Sequence, residues 1–150
     1  MDDFLIRPAT LDDVKPMTEM DQVCSAIPWS EKSFFEEITR NKVARYVIAE
    51  AAGRIAGYAG MWAIIDEGHI TNVAVHPDFR RRGIARTLIS TLLTASEAEG
   101  VSAYTLEVRA SNEIAISLYS SLGFQAEGVR RKYYEDDSED AIIMWKGRRI

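Results

Sequence analysis

N-V-A-V-H-P-D-F-R-R-R-G-I-A, residues 72–85, joins an apolar strand to an amphipathic helix through a loop with three consecutive arginines and one glycine. Gly83 stands where the helix begins, so main-chain N–H groups there can approach an anion with no side chain in the way. The helix dipole favours negative charge at the same end. Arg80, Arg81 and Arg82 can add charge-assisted bonds to further phosphate oxygens. An arginine triplet alone also fits a solvated basic turn. The strand before it and the helix after it, with Ile84, Leu88, Leu92 and Ala95 at helical spacing as far as Glu99 and Gly100 beyond, select the phosphate-holding reading.

Toward the N-terminus, His69 to Val75 is the strand that feeds this loop, and two longer apolar runs precede it, Ala44 to Ala51 and Arg54 to Ile65. Ala52-Gly53 and Asp66-Glu67-Gly68 separate them as turns, so the three form an antiparallel meander. Phe4 to Arg7 is a short edge strand stopped by Pro8. Thr10 can cap a helix to about Cys24 with Leu11, Val14, Met17 and Met20 on one face, and Ser30 starts a second with Phe34, Phe35 and Ile38 as its stripe. Beyond the loop, Tyr104 to Val108 is a strand, made parallel to the one ending at Val75 by the helix that crosses between them. Asn112 can cap a helix to Leu122, terminated by Gly123. Strands at Phe124 to Tyr134 and Ala141 to Trp145, joined by an acidic turn at Glu135 to Asp140, complete a mixed sheet. The order of elements points to one α/β or α+β domain over residues 1–150, with no repeat or dividing linker.

A chain of 150 residues with 47% hydrophobic content can bury a full core without metal or disulfide staples. Eighteen Lys and Arg against 23 Asp and Glu give a net charge of −5, which argues against direct nucleic-acid binding despite the arginine run. An acidic body with a small basic spot suits an anionic cofactor and a cationic substrate. Cys24 is the only cysteine, which excludes an internal disulfide and fits a reducing compartment. No basic region followed by a long apolar one opens the chain, and no run reaches membrane-spanning length. The expectation is a cytoplasmic monomer with no membrane partner.

T-L-E-V-R-A-S-N-E-I-A-I-S-L-Y-S-S-L-G-F, residues 105–124, is the second informative stretch. Together with the arginine loop it resembles the GNAT superfamily of acetyl-coenzyme A-dependent N-acetyltransferases. The family's loop motif is Arg or Gln, two residues, Gly, one residue, Gly or Ala, and Arg80, Gly83 and Ala85 occupy those positions. Its second motif, N-x-x-A-x-x-L-Y-x-x-x-G-F, is matched by Asn112, Ala115, Leu118, Tyr119, Gly123 and Phe124. The resemblance implies an α/β (α+β) fold with a mixed, largely antiparallel seven-stranded sheet flanked by about four helices, and acetyl-CoA as co-substrate. It extends to the bacterial acetyltransferases of the N-terminal alanine of the eighteenth small-subunit ribosomal protein, through P-W-S at Pro28, G-H-I-T-N-V-A-V at Gly68, L-E-V-R at Leu106, and R-K-Y-Y with E-D-A-I-I-M near the end. The implied partner is therefore a ribosomal protein's N-terminus.

Acyl transfer from a thioester to an amine needs a neutral amine, whereas an α-amino group has a pKa of about 7.7–8.0. Strand alternation puts Tyr104, Leu106 and Val108 on one face and Thr105 and Glu107 on the other, with Glu107 near a strand end. The resemblance implies Glu107 as general base; read from residues alone, a strand-end salt bridge, for instance with Arg109, fits as well. Tyr119 is the implied acid, though its register with Ala115, Leu118 and Leu122 also suits a core aromatic. A phenol at about 10 facing a thiolate near 8.5 favours a hydrogen bond that strengthens as charge builds on sulfur over full proton transfer. Val73, Ala74 and Val75 can pair with pantetheine amides through their backbone. A bulge in that strand would free an N–H for the thioester oxygen, and nothing in the residues reveals one. Arg80, Arg81, Arg82, Gly83, Ile84, Ala85 and Arg86 complete the cofactor loop; Asn112 either contacts the cofactor or caps its helix.

By resemblance Trp29, Tyr133 and Tyr134 flank the substrate channel. His69 and His76 have no companion ligands at metal-binding spacing, so no metal is expected, and Cys24 reads as packing. A Rossmann domain would need a third glycine that Gly83-Ile84-Ala85 does not supply. A non-catalytic acyl-CoA-binding module, and a GNAT enzyme acting on a small amine or a lysine side chain, stay open.

Overall fold

The computed structural model describes residues 4–147, so both ends of the single-domain expectation lie outside the described residues. Seven strands, β1 (Leu5–Pro8), β2 (Ala44–Ala51), β3 (Arg54–Ile64), β4 (Glu67–Val75), β5 (Ala103–Arg109), β6 (Gln125–Arg130) and β7 (Ala141–Lys146), form one sheet in the order β1-β2-β3-β4-β5-β7-β6. Four helices accompany them: α1 (Val14–Cys24), α2 (Glu31–Thr39), α3 (Ile84–Glu97) and α4 (Glu113–Ser121). Every strand pair is antiparallel except β4 with β5. The α3 crossover produces that exception, as the sequence predicts.

An apolar layer covers each face of the sheet. On one, Val14, Met17 and Met20 of α1 and Phe34 of α2 pack on Tyr46, Ile48, Tyr58 and Ala74. On the other, Ile84, Leu88, Ile89, Leu92 and Leu93 of α3 pack with Ala49, Ala59, Met61, Ile70, Leu106, Val108 and Tyr119 of α4. Ile70 and Ala74 have the same parity along β4 yet belong to opposite layers. The reason is a register shift: Gly60 pairs with Asn72 but Met61 pairs with Ile70, leaving Thr71 as an extra residue. One inserted residue turns every later side chain to the other face.

Local chemistry moves several expected boundaries. Leu11 does not join the α1 face; it lies in a 3-10 turn, 57% exposed. Asp13 is the inward residue there, accepting from the Thr10 N–H at 2.7 Å and from Arg7 at 2.8 Å. Phe35 is likewise outward, 38% exposed. The turn into β4 is Ile65-Asp66, because Glu67 and Gly68 already pair with Ile64 and Ala63. β6 stops at Arg130, short of Tyr134: Lys132 takes a left-handed φ of +51° and donates its N–H to Asp140 Oδ1, leaving the ladder.

Gly60 makes the bulge possible. A Cβ built on it would lie 2.3 Å from the Tyr46 ring and 2.6 Å from Asn72 Oδ1, and Tyr46 is a buried side chain held by Glu37 at 2.8 Å. Gly60→Ala is therefore expected to destabilise the fold by about 1–3 kcal/mol, as overpacking does, and to lower Tm by several degrees on a thermal melt. An unchanged Tm would show that Tyr46 yields freely.

Candidate active site

β4 and β5 pair only through Glu67–Ala103, Gly68–Tyr104 and His69–Thr105. Beyond His69 they run on side by side no longer, and a cavity of about 550 Å³ opens between them. Its walls include Ile70 to Val75 of β4, Leu106 to Arg109 of β5, the first two turns of α4, and the last turn of α1 with the segment after it as far as Trp29. The β5-facing edge of β4 thus carries main-chain groups with no strand beside them. The Asn72 amide Nδ2 on that wall is buried without a hydrogen-bond partner among the described residues, a donor that lacks an acceptor.

Glu107 and Tyr119 reach this cavity from opposite faces of the sheet. Leu106 and Val108 point into the α3 layer, so Glu107 points away from it; Tyr119 belongs to that layer and comes up from α4. The gap between β4 and β5 is what lets them share one space. Glu107 is not paired with Arg109. Its Oε1 lies 3.0 Å from His69 Nε2, and its Oε2 lies 3.9 Å from Arg130 Nε. The His69 hydrogen bond holds the Glu107 carboxyl below the ordinary glutamate range, against burial, which pushes it up. An ionised carboxylate can only accept, so Nε2 carries the proton of that contact.

Tyr119 is 9% exposed, packs edge-on against Phe124 at 5.8 Å, and its hydroxyl has no hydrogen-bond partner among the described residues. Burial pushes its phenol up to about 12. A hydroxyl this reluctant to ionise suits a hydrogen-bond donor better than a source of a free proton.

The arginine loop departs in detail from a set of three outstretched cations. Arg80 folds back, its Nε donating to the Val75 carbonyl at 3.2 Å, and lines the cavity. Arg82 lies over the Phe79 ring at 5.3 Å, and Arg86 bonds Ser121 Oγ. Arg81 and Gly83 both adopt left-handed φ, +65° and +75°, around the start of α3. A left-handed Gly83 followed by the helical Ile84 points successive N–H groups into one concavity. Nothing lies within 4 Å of a Cβ built on Gly83, so the approach is open. Ile84 is buried in the core and offers only its backbone, while Ala85 lines the cavity. Val73, Ala74 and Val75 are on the cavity wall, and Asn112 is there too while capping α4, Oδ1 accepting from the Ala115 N–H at 3.1 Å.

Of the expected aromatics, Trp29 and Tyr134 line the cavity; Tyr133 is 47% exposed and stacks edge-on against Tyr134 at 5.1 Å. Two contributors were not singled out from sequence. His69, considered only as a metal ligand, is the partner of Glu107; the register of β4 against β5 decides that, and no motif announces it. Asp21 is a buried carboxylate that accepts the Trp29 N–H at 2.6 Å and the Tyr58 hydroxyl, fixing the loop after α1 against the sheet.

Comparisons with known proteins find relatives over most of the chain. The chain is 43% identical over 136 residues, 88% of its length and 89% of the relative's, to a Salmonella typhimurium protein named ribosomal protein bS18-alanine N-acetyltransferase. It is 41% identical over 136 residues, with the same shares covered, to the Escherichia coli protein of that name. The crystal structure of the ribosomal-protein-S18-alanine N-acetyltransferase from Escherichia coli superposes with a TM-score of 0.88 at 37% identity, covering 96% of this chain and 93% of that one. The acetyltransferase (GNAT) family profile matches residues 14–124, from the start of α1 through the end of the α4 motif, and the chain belongs to that family.

Proposed function

We propose that this protein transfers an acetyl group from acetyl-CoA to the α-amine of an N-terminal alanine, that of ribosomal protein bS18, directly and within a ternary complex. The observation that carries the reading is that Glu107 and Tyr119 enter one cleft through the gap between β4 and β5. The acceptor comes from the relatives' names, and we propose beside it a cytoplasmic, monomeric enzyme.

The residues present fit acetyl-CoA. The unpaired edge of β4 at Val73, Ala74 and Val75 suits the amides of the pantetheine arm, and the orphaned Asn72 donor adds to it. Main-chain N–H groups from Gly83 to Arg86 have no partner within α3 and suit the phosphates, with Arg80, Arg81 and Arg82 around them. Asn112 borders the arm. When bound, the thioester supplies an activated acyl carbon.

Glu107 has to take one proton from the amine. A carboxylate near 4.3 and an ammonium near 7.8 differ by about 3.5 units, or roughly 5 kcal/mol for full transfer in isolation, and the His69 contact widens the gap. Glu107 therefore takes the proton from an amine that is already neutral, as the nitrogen turns acidic on bonding to the acyl carbon. Tyr119 lends a hydrogen bond to the departing sulfur. The cleft shows no activated nucleophile, and Cys24, whose thiol is raised by burial and donates to the Val75 carbonyl at 3.5 Å, does not supply one. Trp29, Tyr133 and Tyr134 border the acceptor.

Thiol release from acetyl-CoA is expected with a hexapeptide copying the ribosomal protein's N-terminus and not with the same peptide blocked at its α-amine. Glu107→Gln and Tyr119→Phe should each lower kcat, Glu107→Gln by about 10²-fold or more, with acetyl-CoA affinity nearly unchanged. Turnover on a polyamine or a lysine side chain alone would move the acceptor, and cofactor binding without turnover on any amine would leave an acyl-CoA-binding module.

Removing the His69 donor leaves burial as the main influence on Glu107, so its carboxyl pKa must rise. In a carboxyl-resolved NMR titration of the free enzyme, Glu107 should ionise below the usual carboxylate range in the wild type and at higher pH in His69→Ala. The acid limb of kcat/KM that the amine sets at about 7.8 should stay in place, and only the steeper fall at lower pH should move up with Glu107. An unmoved Glu107 titration would remove His69 from the account.

A further inference from the structure

Arg109 closes β5 on the same face as Glu107, two residues away, yet it turns from Glu107 toward the loop between β6 and β7. Its NH2 donates to both oxygens of Asp136 at 2.9 Å each, and its NH1 to Asp137 Oδ1 at 3.1 Å and Glu139 Oε1 at 3.4 Å. The same guanidinium lies 4.0 Å over the Tyr134 ring. One cation thus meets three carboxylates and one aromatic face, a geometry that an arginine's planar fork satisfies and a lysine's point charge does not.

The loop needs this cation. Residues 131–140 contain Arg131 and Lys132 against Glu135, Asp136, Asp137, Glu139 and Asp140, a formal charge of 2 − 5 = −3 in ten residues. Lys132 and Ser138 are held at left-handed φ of +51° and +58°, conformations that persist in non-glycine residues when surrounding contacts impose them. Further ties include the Ser111 N–H to Glu139 Oε2 at 2.6 Å, the Lys132 N–H to Asp140 Oδ1 at 2.9 Å, the Ala110 N–H to the Asp140 carbonyl at 3.0 Å, the Tyr134 N–H to the Glu139 carbonyl at 3.2 Å and the Ser138 N–H to the Tyr134 carbonyl at 2.9 Å. Among the described residues, Tyr134 is the member of this loop that lines the cleft. Tyr134 shares the lining of that cleft with Glu107 and Tyr119.

We propose that Arg109 is the positioning residue of the acceptor site: it folds the acidic β6–β7 loop around its guanidinium and thereby sets Tyr134 as the wall against which the acceptor peptide binds. This rests on the peptide-acceptor reading above. Arg109 borders the cleft, but its guanidinium is engaged by the carboxylates of the loop, so it acts on acceptor affinity through Tyr134 and leaves the chemical step and the donor alone.

The test combines steady-state kinetics on the hexapeptide with amide hydrogen exchange, for the wild type, Arg109→Ala, Arg109→Lys, Tyr134→Ala and the Arg109→Ala/Tyr134→Ala double variant. Arg109→Ala should raise the peptide KM by roughly tenfold, with kcat and the acetyl-CoA KM changed by no more than about twofold. Exchange at the Tyr134 and Ser138 amides should quicken by about tenfold or more while α3 amides stay protected. Arg109→Lys should recover part of the loss, and the double variant should be no worse than Tyr134→Ala. Adding Asp136→Asn and Asp137→Asn to Arg109→Ala should restore protection in part by relieving the repulsion. Unchanged loop exchange overturns the proposal, as does quickened exchange with an unchanged peptide KM, additive losses in the double variant, or a collapse of α3 protection. Absence of wild-type turnover on the peptide fails the acceptor reading itself, and an acceptor wall falls with it; normal wild-type turnover with an unaffected variant fails the Arg109 proposal alone.

Discussion

Three residue pairs hold β4 to β5, and then the two strands part. Every functional feature of the molecule depends on that interrupted ladder. A continued ladder would satisfy the main-chain edge of β4 and close the sheet between Glu107 and Tyr119. Antiparallel neighbours on both sides, β3 and β7, keep each strand in place where the other is missing, so the gap does not unravel the sheet. The cost falls on buried polar groups left unmatched, of which the Asn72 amide is the visible case, worth about 1–3 kcal/mol until an acceptor meets it.

The bulge at Thr71 belongs to the same arrangement. It sends Ile70 into one apolar layer and Ala74 into the other, so that a single strand anchors both faces across the place where the sheet opens. Glycine at position 60 is the complement on the neighbouring strand, since the Tyr46 ring and the Asn72 side chain occupy the space of a Cβ. Electrostatics follow from the layout. Glu107 sits beside a histidine on the paired part of β4, and Arg109, only two residues on, faces the acidic loop.

Much of this was legible in the sequence, and for identifiable reasons. Apolar periods, the turn at Ala52-Gly53, the caps at Ser30 and Asn112 and the crossover rule locate nearly every element and the parallel pair. The family motifs mark the loop at Gly83 and the cleft residues Glu107 and Tyr119. What escaped depends on three-dimensional register. Thr71 has the residue type of any strand position, so the bulge left no trace. His69 became the partner of Glu107 because position 69 pairs with Thr105, a fact of alignment between strands 36 residues apart. Arg109 read as a partner for Glu107 because the acidic turn that claims it lies some 27 residues further on. Leu11 matched a helical stripe, but the Arg7–Asp13 ion pair, at 2.8 Å, gives the inward position to a carboxylate.

The order of the cleft's parts along the chain has a consequence for how the molecule comes into being. β2 to β4 can assemble from neighbouring segments through short turns, whereas the parallel pairing of β4 with β5 must wait for the 27 residues from 76 to 102, with α3 among them, to be made and to cross the sheet. Glu107, Arg109, Tyr119 and Tyr134 all lie beyond that crossing. A nascent chain therefore carries an exposed β4 edge before it owns either of the side chains proposed for catalysis, and the cleft is complete only after that crossing.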